Sequence, residues 1–409
     1  MILSNYTNIF WILRNKKVLF VIKQIILLPL SIIIITTIRI ISPILLIRIA
    51  RVFTERIGHL ALDLELKTIR YKKEIKTRKI PFIVDIYVNN EISNSYLFYL
   101  WESQGNFIFK NNMILQQIAT INRFLPDHKK YNQLLTIHTD GHWNLKYLDN
   151  TKPALSFPKN DEELGWELLE KLGIHKNTKY VVFCIRNSDY LERKYPNHDW
   201  SYHEYRNSDA EDYLEAAEAL VELGYSVIIM GKTNHLNKTT INKNVIYYAE
   251  LKFRTEFLDI FLMANTYFTI STSTGIDAVS TIFRRPVGLV NTVLGRSISL
   301  GSTPQLYQPK FVKDVSSGKY LGIEDLLKIG WQNFSSFEDY RNAGLEIRNN
   351  TSTEIKQFVL EFEKLQQYKK TKYTGDDLKE NLIRKISNSW GENILQRNNG
   401  EMRKLLDGE

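Results

Sequence analysis

From residue 180 to residue 290 the chain alternates short, almost uninterrupted apolar runs with amphipathic stretches that stop at glycine or open into a polar loop. The apolar runs fall at 180–185 (YVVFCI), 226–230 (SVIIM), 245–248, 266–270 and 287–290. Between them, apolar residues at helical spacing fill 210–223, 255–264 and 276–283. A strand that is apolar on both faces must be covered on both faces, and strand, helix, strand in that order makes a parallel crossover. The pattern predicts a doubly wound parallel sheet, led in by a helix over 161–172 that ends at Gly173.

The preceding hundred residues read as a second α/β unit. A short strand over 52–57 runs into Gly58 and His59, with a helix beginning near Leu60. The stretch 81–88 (PFIVDIYV) is β-branched and bounded by Pro81 and two asparagines, and 94–104 and 113–124 have helical spacing. Residues 150–160, with Pro153 and Pro158 and few periodic apolar positions, suit an interdomain linker. At 409 residues and 44% hydrophobic, the chain exceeds one ordinary core, so two domains are expected. The division is an apolar helical segment at 1–50, an N-terminal Rossmann-like domain at 51–160, a C-terminal one at 161–345 and C-terminal helices at 346–409.

Charge separates membrane from nucleic acid as the partner. Up to residue 51 stand Arg14, Lys16, Lys17, Lys23, Arg39, Arg48 and Arg51, and the first acid is Glu55, so seven of the nine net positive charges precede the body and leave it at +2. A phosphate-backbone binder needs its cations on the folded domains, and here they flank the most apolar stretch, which points away from nucleic acid and toward an anionic membrane surface. Residues 18–38 are long enough to cross a hydrocarbon core of about 30 Å. Pro29 in mid-segment, a second apolar run at 40–50 and basic residues on both sides favour a monotopic anchor through 18–50, with a single-pass helix as the other option. No small-residue cleavage site ends the run. The one cysteine, Cys184, rules out an internal disulfide and is compatible with a reducing compartment.

The loop Ser271-Thr272-Ser273-Thr274-Gly275 joins the carboxyl end of a buried strand to a helix start, where unpaired amides and the helix dipole favour an anion. Gly275 allows close backbone approach, and the four hydroxyls add donors, so the loop can hold a phosphate or serve simply as helix caps. After the strand at 180–185 come Arg186, Asp189 and Tyr190, where an arginine fork suits a diphosphate and an internal Arg186–Asp189 pair is the plain alternative. Arg206 precedes the next helix and is a further possible substrate contact. There is no G-x-G-x-x-G, Walker A, C-x-x-C or H-E-x-x-H pattern, so dinucleotide redox chemistry, P-loop hydrolysis and a zinc site lack a motif. His138 and His142 flank Asp140 in what reads as a surface turn. No metal and no cofactor are expected.

The segments RIGHLALDLE (56–65), YVVFCIRNSDYL (180–191), YRNSDAEDYLEAAEALVELGYSVIIMG (205–231) and FTISTSTGIDAVSTIFRRPVGLVN (268–291) resemble a family of bacterial glycosyltransferases from surface-polysaccharide loci, itself similar to the heptosyltransferase-like branch of the GT-B fold. The likeness covers about residues 51 to 365. It implies two Rossmann-like domains facing a cleft, a donor nucleotide held mainly by the C-terminal one, and a helix after 346 crossing back to the first. It further implies that Ser273, Thr274 and Gly275 hold donor phosphate with Ser271 and Thr272, that Arg186 adds charge, and that Gly58 approaches the same diphosphate from the other side. His59 is the candidate general base, with Asp63 one helical turn on to orient it or act itself, and Asp277 touches donor hydroxyls or complements the dipole.

The expectation is therefore transfer of a sugar from a nucleotide-sugar to a lipid-linked or polysaccharide acceptor at the cytoplasmic face of a bacterial inner membrane. A nucleotide-sugar epimerase of the same architecture and a non-catalytic membrane-bound assembly protein are the alternatives.

Overall fold

The computed structural model describes residues 16–77, 80–89, 91–105, 107–110, 112–131, 138–139, 142–143, 145–187, 201–230, 243–293, 306–331, 334, 336–367 and 401–402. The first unit is a three-stranded parallel sheet in the order β1 (Leu45–Arg51), β2 (Phe82–Asn89), β3 (Phe107–Lys110). Helix α1 (Lys16–Ile41) precedes it, and α2 (Ile57–Thr77), α3 (Ser95–Ser103) and α4 (Met113–Asn122) complete it. The Asn94 and Asn112 side chains cap α3 and α4 by accepting from the amides of Leu97 and Leu115.

Two expectations shift here. The first strand lies at Leu45–Arg51, not 52–57, and α2 starts at Ile57. The run at 40–50 looked like membrane sequence because β1 packs against α1 and α4 while its Ala50 joins the buried cluster that holds Leu60 and Leu64 of α2, and a strand buried on both faces carries no polar alternation. The strand at Phe107–Lys110 left no such signal in a sequence of four residues.

The second unit follows the predicted alternation. Its elements are α5 (Lys159–Glu170), β4 (Tyr180–Cys184), α6 (Leu214–Glu222), β5 (Ser226–Ile229), β6 (Val245–Tyr247), α7 (Glu256–Asn265), β7 (Phe268–Ser271), α8 (Asp277–Ile282), β8 (Val287–Thr292) and β9 (Leu306–Pro309). The seven-stranded sheet is ordered Glu401–Met402, β9, β8, β7, β4, β5, β6, with every neighbouring pair parallel. Successive strands run outward from β4 to β6, then return to β7 on its other side. The strand order reverses between β4 and β7, and the carboxyl ends of the strands at such a point are where open α/β sheets take ligands.

Helix α9 (Ser352–Gln367) does not cross back to the first unit as the resemblance implied. Its Ile355, Phe358, Val359 and Phe362 share a buried cluster with Ala216, Ala217 and Leu220 of α6, and the Phe362 ring meets Phe268 of β7 edge-on at 5.3 Å. Its apolar stripe matches the open face of the second sheet, which needs a cover.

The two units share one core. Leu60, Leu64, Trp101 and Val52 of the first belong to the same buried cluster as Tyr180, Phe261, Leu169 and Val279 of the second. Across this seam Arg284 donates to Glu65 at 2.7 Å and to the carbonyls of Thr151 and Lys152, while Glu65, fully buried, also accepts from the Ala154 amide at 3.1 Å. The segment at 150–158 that reads as a linker is thereby fastened on both sides.

Candidate active site

Gly58 and Gly275 meet. A Cβ on Gly58 would stand 3.4 Å from the Gly275 Cα, and one on Gly275 would stand 3.1 Å from the Ile57 Cγ2 and 3.4 Å from the Gly58 nitrogen. The opening turns of α2 and α8, one from each unit, therefore converge, and side chains at either position would hold them apart. Two helix N-termini at one place superpose two sets of unpaired amides and two positive dipole ends. Gly58 is buried and Gly275 is exposed, so the glycines serve backbone packing between the units at a point open to solvent on the Gly275 side.

The β7–α8 loop is tightly ordered by its own side chains. Ser273 holds φ at 63°, the left-handed region that costs a non-glycine residue about 1 kcal/mol. The Asp277 carboxylate accepts from the Ser271 hydroxyl at 2.6 Å and the Thr274 amide at 3.0 Å. Burial raises the Asp277 carboxyl to about 6, opposed by those two hydrogen bonds and by the Arg206 guanidinium. Asp277 thus occupies the loop amide that a phosphate oxygen would use.

At the switch point the Arg186 amide donates to the Thr272 hydroxyl at 2.9 Å, and the Thr272 amide donates to the Cys184 carbonyl at 3.1 Å, linking the loops that follow β4 and β7. The Ser208 amide donates to the Arg186 carbonyl at 3.0 Å, and Arg206 reaches the Ser273 carbonyl at 3.4 Å. Arg206 thus joins the loop through a segment that only the fold brings near. Lys310, buried just past β9, donates its amine to the carbonyl of Asn207, the neighbour of Arg206, and burial lowers that amine to about 8 despite the nearby Asp212 carboxylate. Lys310 was not singled out in sequence, since the short strand before it carries no distinctive pattern. Asp189 and Tyr190 lie outside the described residues.

His59 sits on the first turn of α2, beside Gly58, and Asp63 one turn further along the same face. The His59 Nδ1 lies 3.2 Å from the Asp63 Oδ2, with side-chain exposures of 23% and 1%. When Asp63 is ionised it can only accept in this contact, and the Nδ1–H tautomer is then the one that fits it. The Phe53 ring, 5.5 Å away, packs on the imidazole. Burial drives the Cys184 thiol well above its ordinary value, which leaves it an inert core group beneath the loop. Among the described residues no group of three or more His, Cys, Asp or Glu side chains gathers at metal-binding distance.

A seven-stranded parallel sheet, doubly wound, beside a second, three-stranded α/β unit is the architecture of the described residues, and it is distantly similar to that of GT-B glycosyltransferases. Among solved structures, the family 9 glycosyl transferase of Veillonella parvula aligns at 10% identity over 77% of this chain and 97% of its own, with a TM-score of 0.40. The E. coli ADP-heptose LPS heptosyltransferase II aligns at 11% identity over 64% and 90%, with a TM-score of 0.32. The E. coli heptosyltransferase WaaC with ADP-2-deoxy-2-fluoro heptose aligns at 12% over 60% and 88%, with a TM-score of 0.28. No family model and no curated protein sequence matches the chain. These likenesses are faint, and the reading of the site rests on its own geometry.

Proposed function

We propose that this chain is a glycosyltransferase that moves a sugar from a nucleotide-sugar donor to a lipid-linked or polysaccharide acceptor, without a metal, at the cytoplasmic face of a bacterial inner membrane. The observation that carries the reading is the meeting of two helix starts at Gly58 and at Gly275, on the loop that follows β7, with His59 next to Gly58 and paired to Asp63 one turn on. The donor diphosphate lies against these amides, with the Ser271 to Thr274 hydroxyls, Arg186 and Arg206 supplying further donors. As the bond from the anomeric carbon to the phosphate oxygen breaks, the negative charge grows on the leaving diphosphate, where the dipoles point. The acceptor oxygen bonds to the anomeric carbon and passes its proton to the His59 Nε2, while Asp63 steadies the imidazolium.

Calorimetry with UDP-, CDP-, GDP- and ADP-sugars tests this directly. One donor should bind, and Gly275→Val and Arg186→Ala should each weaken it by roughly ten-fold or more, the loss of a charge-assisted contact or of the close approach. Binding of none of the four removes the enzymatic reading and leaves a membrane-bound assembly protein. Product analysis with the bound donor separates transfer from epimerisation.

A further inference from the structure

From Gln24 to Ile40 helix α1 has two unlike faces. On one side Ser31, Ile35 and Ile38 are buried against the first unit: the Ser31 hydroxyl donates to the Gln117 Oε1 at 2.8 Å, and the Gln117 Nε2 donates to the Gln24 carbonyl at 2.8 Å, next to the kink-prone turn of Pro29. On the other side Ile26, Ile33 and Ile40 are 69%, 62% and 72% exposed, and with Ile22 they fall on one stripe at 3.6 residues per turn. The hydroxyls of Thr36 and Thr37 on that side donate back to the carbonyls of Ile32 and Ile33, both at 2.9 Å, so even its polar atoms are satisfied within the helix. The window Val21–Ile41 has a mean hydropathy of 2.2.

We infer that α1 lies in the plane of an anionic membrane, its Ile22, Ile26, Ile33 and Ile40 stripe in the acyl boundary and its Ser31 and Ile35 face on the protein. This deepens the membrane part of the function proposed above and is independent of the transfer chemistry. The charge of the region names the surface: Arg14, Lys16, Lys17 and Lys23 stand in the sequence with no acid among them, exposed Lys23 lies on α1, and Arg123 and Lys130 are exposed around Phe124, itself 84% exposed. Arg39 fastens that segment to the end of α1 by donating to the Pro126 carbonyl at 3.0 Å. A spanning geometry is disfavoured by the docked face. A helix held along its side by α4 would draw Gln116, Gln117, Thr120 and Asn122, and the edge of the first sheet behind them, into hydrocarbon, where polar groups without partners are costly.

Flotation of the full chain with vesicles of phosphatidylcholine alone and with phosphatidylglycerol tests the surface. Binding should require the anionic lipid and weaken with salt, and the double variant Ile26→Glu/Ile33→Glu, altered only at exposed positions, should bind roughly ten-fold or more weakly while its nucleotide-sugar affinity stays unchanged. Full vesicle binding by that variant overturns the assigned face, and no vesicle binding by the parent overturns the membrane reading itself, whatever the donor titration shows. To separate lying from crossing, Lys16→Cys and Pro43→Cys are probed in spheroplasts with an impermeant maleimide. Both should label only after lysis, and labelling of a single end in intact spheroplasts shows a span and ends the in-plane proposal.

Discussion

The Asp277 carboxylate sits on the Thr274 amide, and this single placement gives the site a pH dependence. Its folded value of about 6 stands above the ordinary 3.8, so the folded state binds the proton more tightly. Its favourable contribution is full below the lower value and is lost as pH rises through about 6. The neutral isostere Asp277→Asn should therefore raise the melting temperature at pH 7.5 and leave it nearly unchanged near pH 4. A diphosphate that takes the Thr274 amide displaces a carboxylate and favours its protonation, so donor affinity should fall between pH 5.5 and 7.5 in the parent and much less in Asp277→Asn. Equal slopes in the two proteins would remove Asp277 from the binding step. At His59 the expected signature is kinetic: His59→Gln should lower kcat by about 10² to 10⁴ with little change in KM, the range of general base catalysis. A change confined to KM would make His59 a binding residue.

At the scale of elements, β1 carries Arg48 in the middle of an apolar strand, and the sheet is built around it. Arg48 donates to Asp85 of β2 from Nη2 at 2.9 Å and to Glu74 of α2 at 2.8 Å, and Lys67 of α2 reaches the same Asp85 at 3.0 Å while its amine lies 4.3 Å from the centre of the Tyr87 ring. Burial pulls the Lys67 amine down, and Asp85 opposes it. Such a cluster is a poor source of net stability but a costly one to break. Asp85→Asn, which takes the carboxylate from buried Lys67 and leaves Arg48 with Glu74 alone, should lower the unfolding free energy by about 3–5 kcal/mol in urea titrations. A loss below about 1 kcal/mol, the size of an exposed pair, would mean that water reaches the cluster. The sequence reading passed over these residues because a charge inside an apolar run looks like a strand boundary until its partners, 26 and 37 positions away, are seen.

The whole molecule is held by its seam. Arg284, at a φ of 59° just after α8, meets Glu65 on α2, and burial raises the Glu65 carboxyl against the pull of that guanidinium. Asn94 of the first unit donates to the Glu256 carbonyl at 3.0 Å, and Tyr96 donates to Asp161 at 2.6 Å, so the contact runs the length of the interface. Two units with one core should unfold together. Arg284→Ala should cost about 3–5 kcal/mol by leaving a buried carboxylate alone, and Glu65→Gln/Arg284→Met should recover part of it, since both charges leave together. Two separate calorimetric transitions in the parent protein would contradict a shared core. Two domains facing a cleft were implied, and the described residues add that the units share one buried cluster, which nothing in local pattern reports, since Leu60 and Val279 stand over two hundred positions apart.

What the sequence determined by itself was whatever is periodic or punctuated. The parallel sheet from β4 to β8, the helices ending at Gly173 and Gly224 and the loop at 271–275 were legible because burial on both faces, helical spacing and glycine turns act within a few residues. His59 and Asp63 were legible as a pair for the same reason, being one helical turn apart. Tertiary structure alone decided that Gly58 abuts Gly275, that Arg206 reaches the 271–275 loop while Lys310 holds its neighbour Asn207, that 45–51 enters a sheet, and that α9 packs on the second unit. These depend on which surfaces are complementary across a hundred residues or more, and that information lies in shape and charge assembled in space.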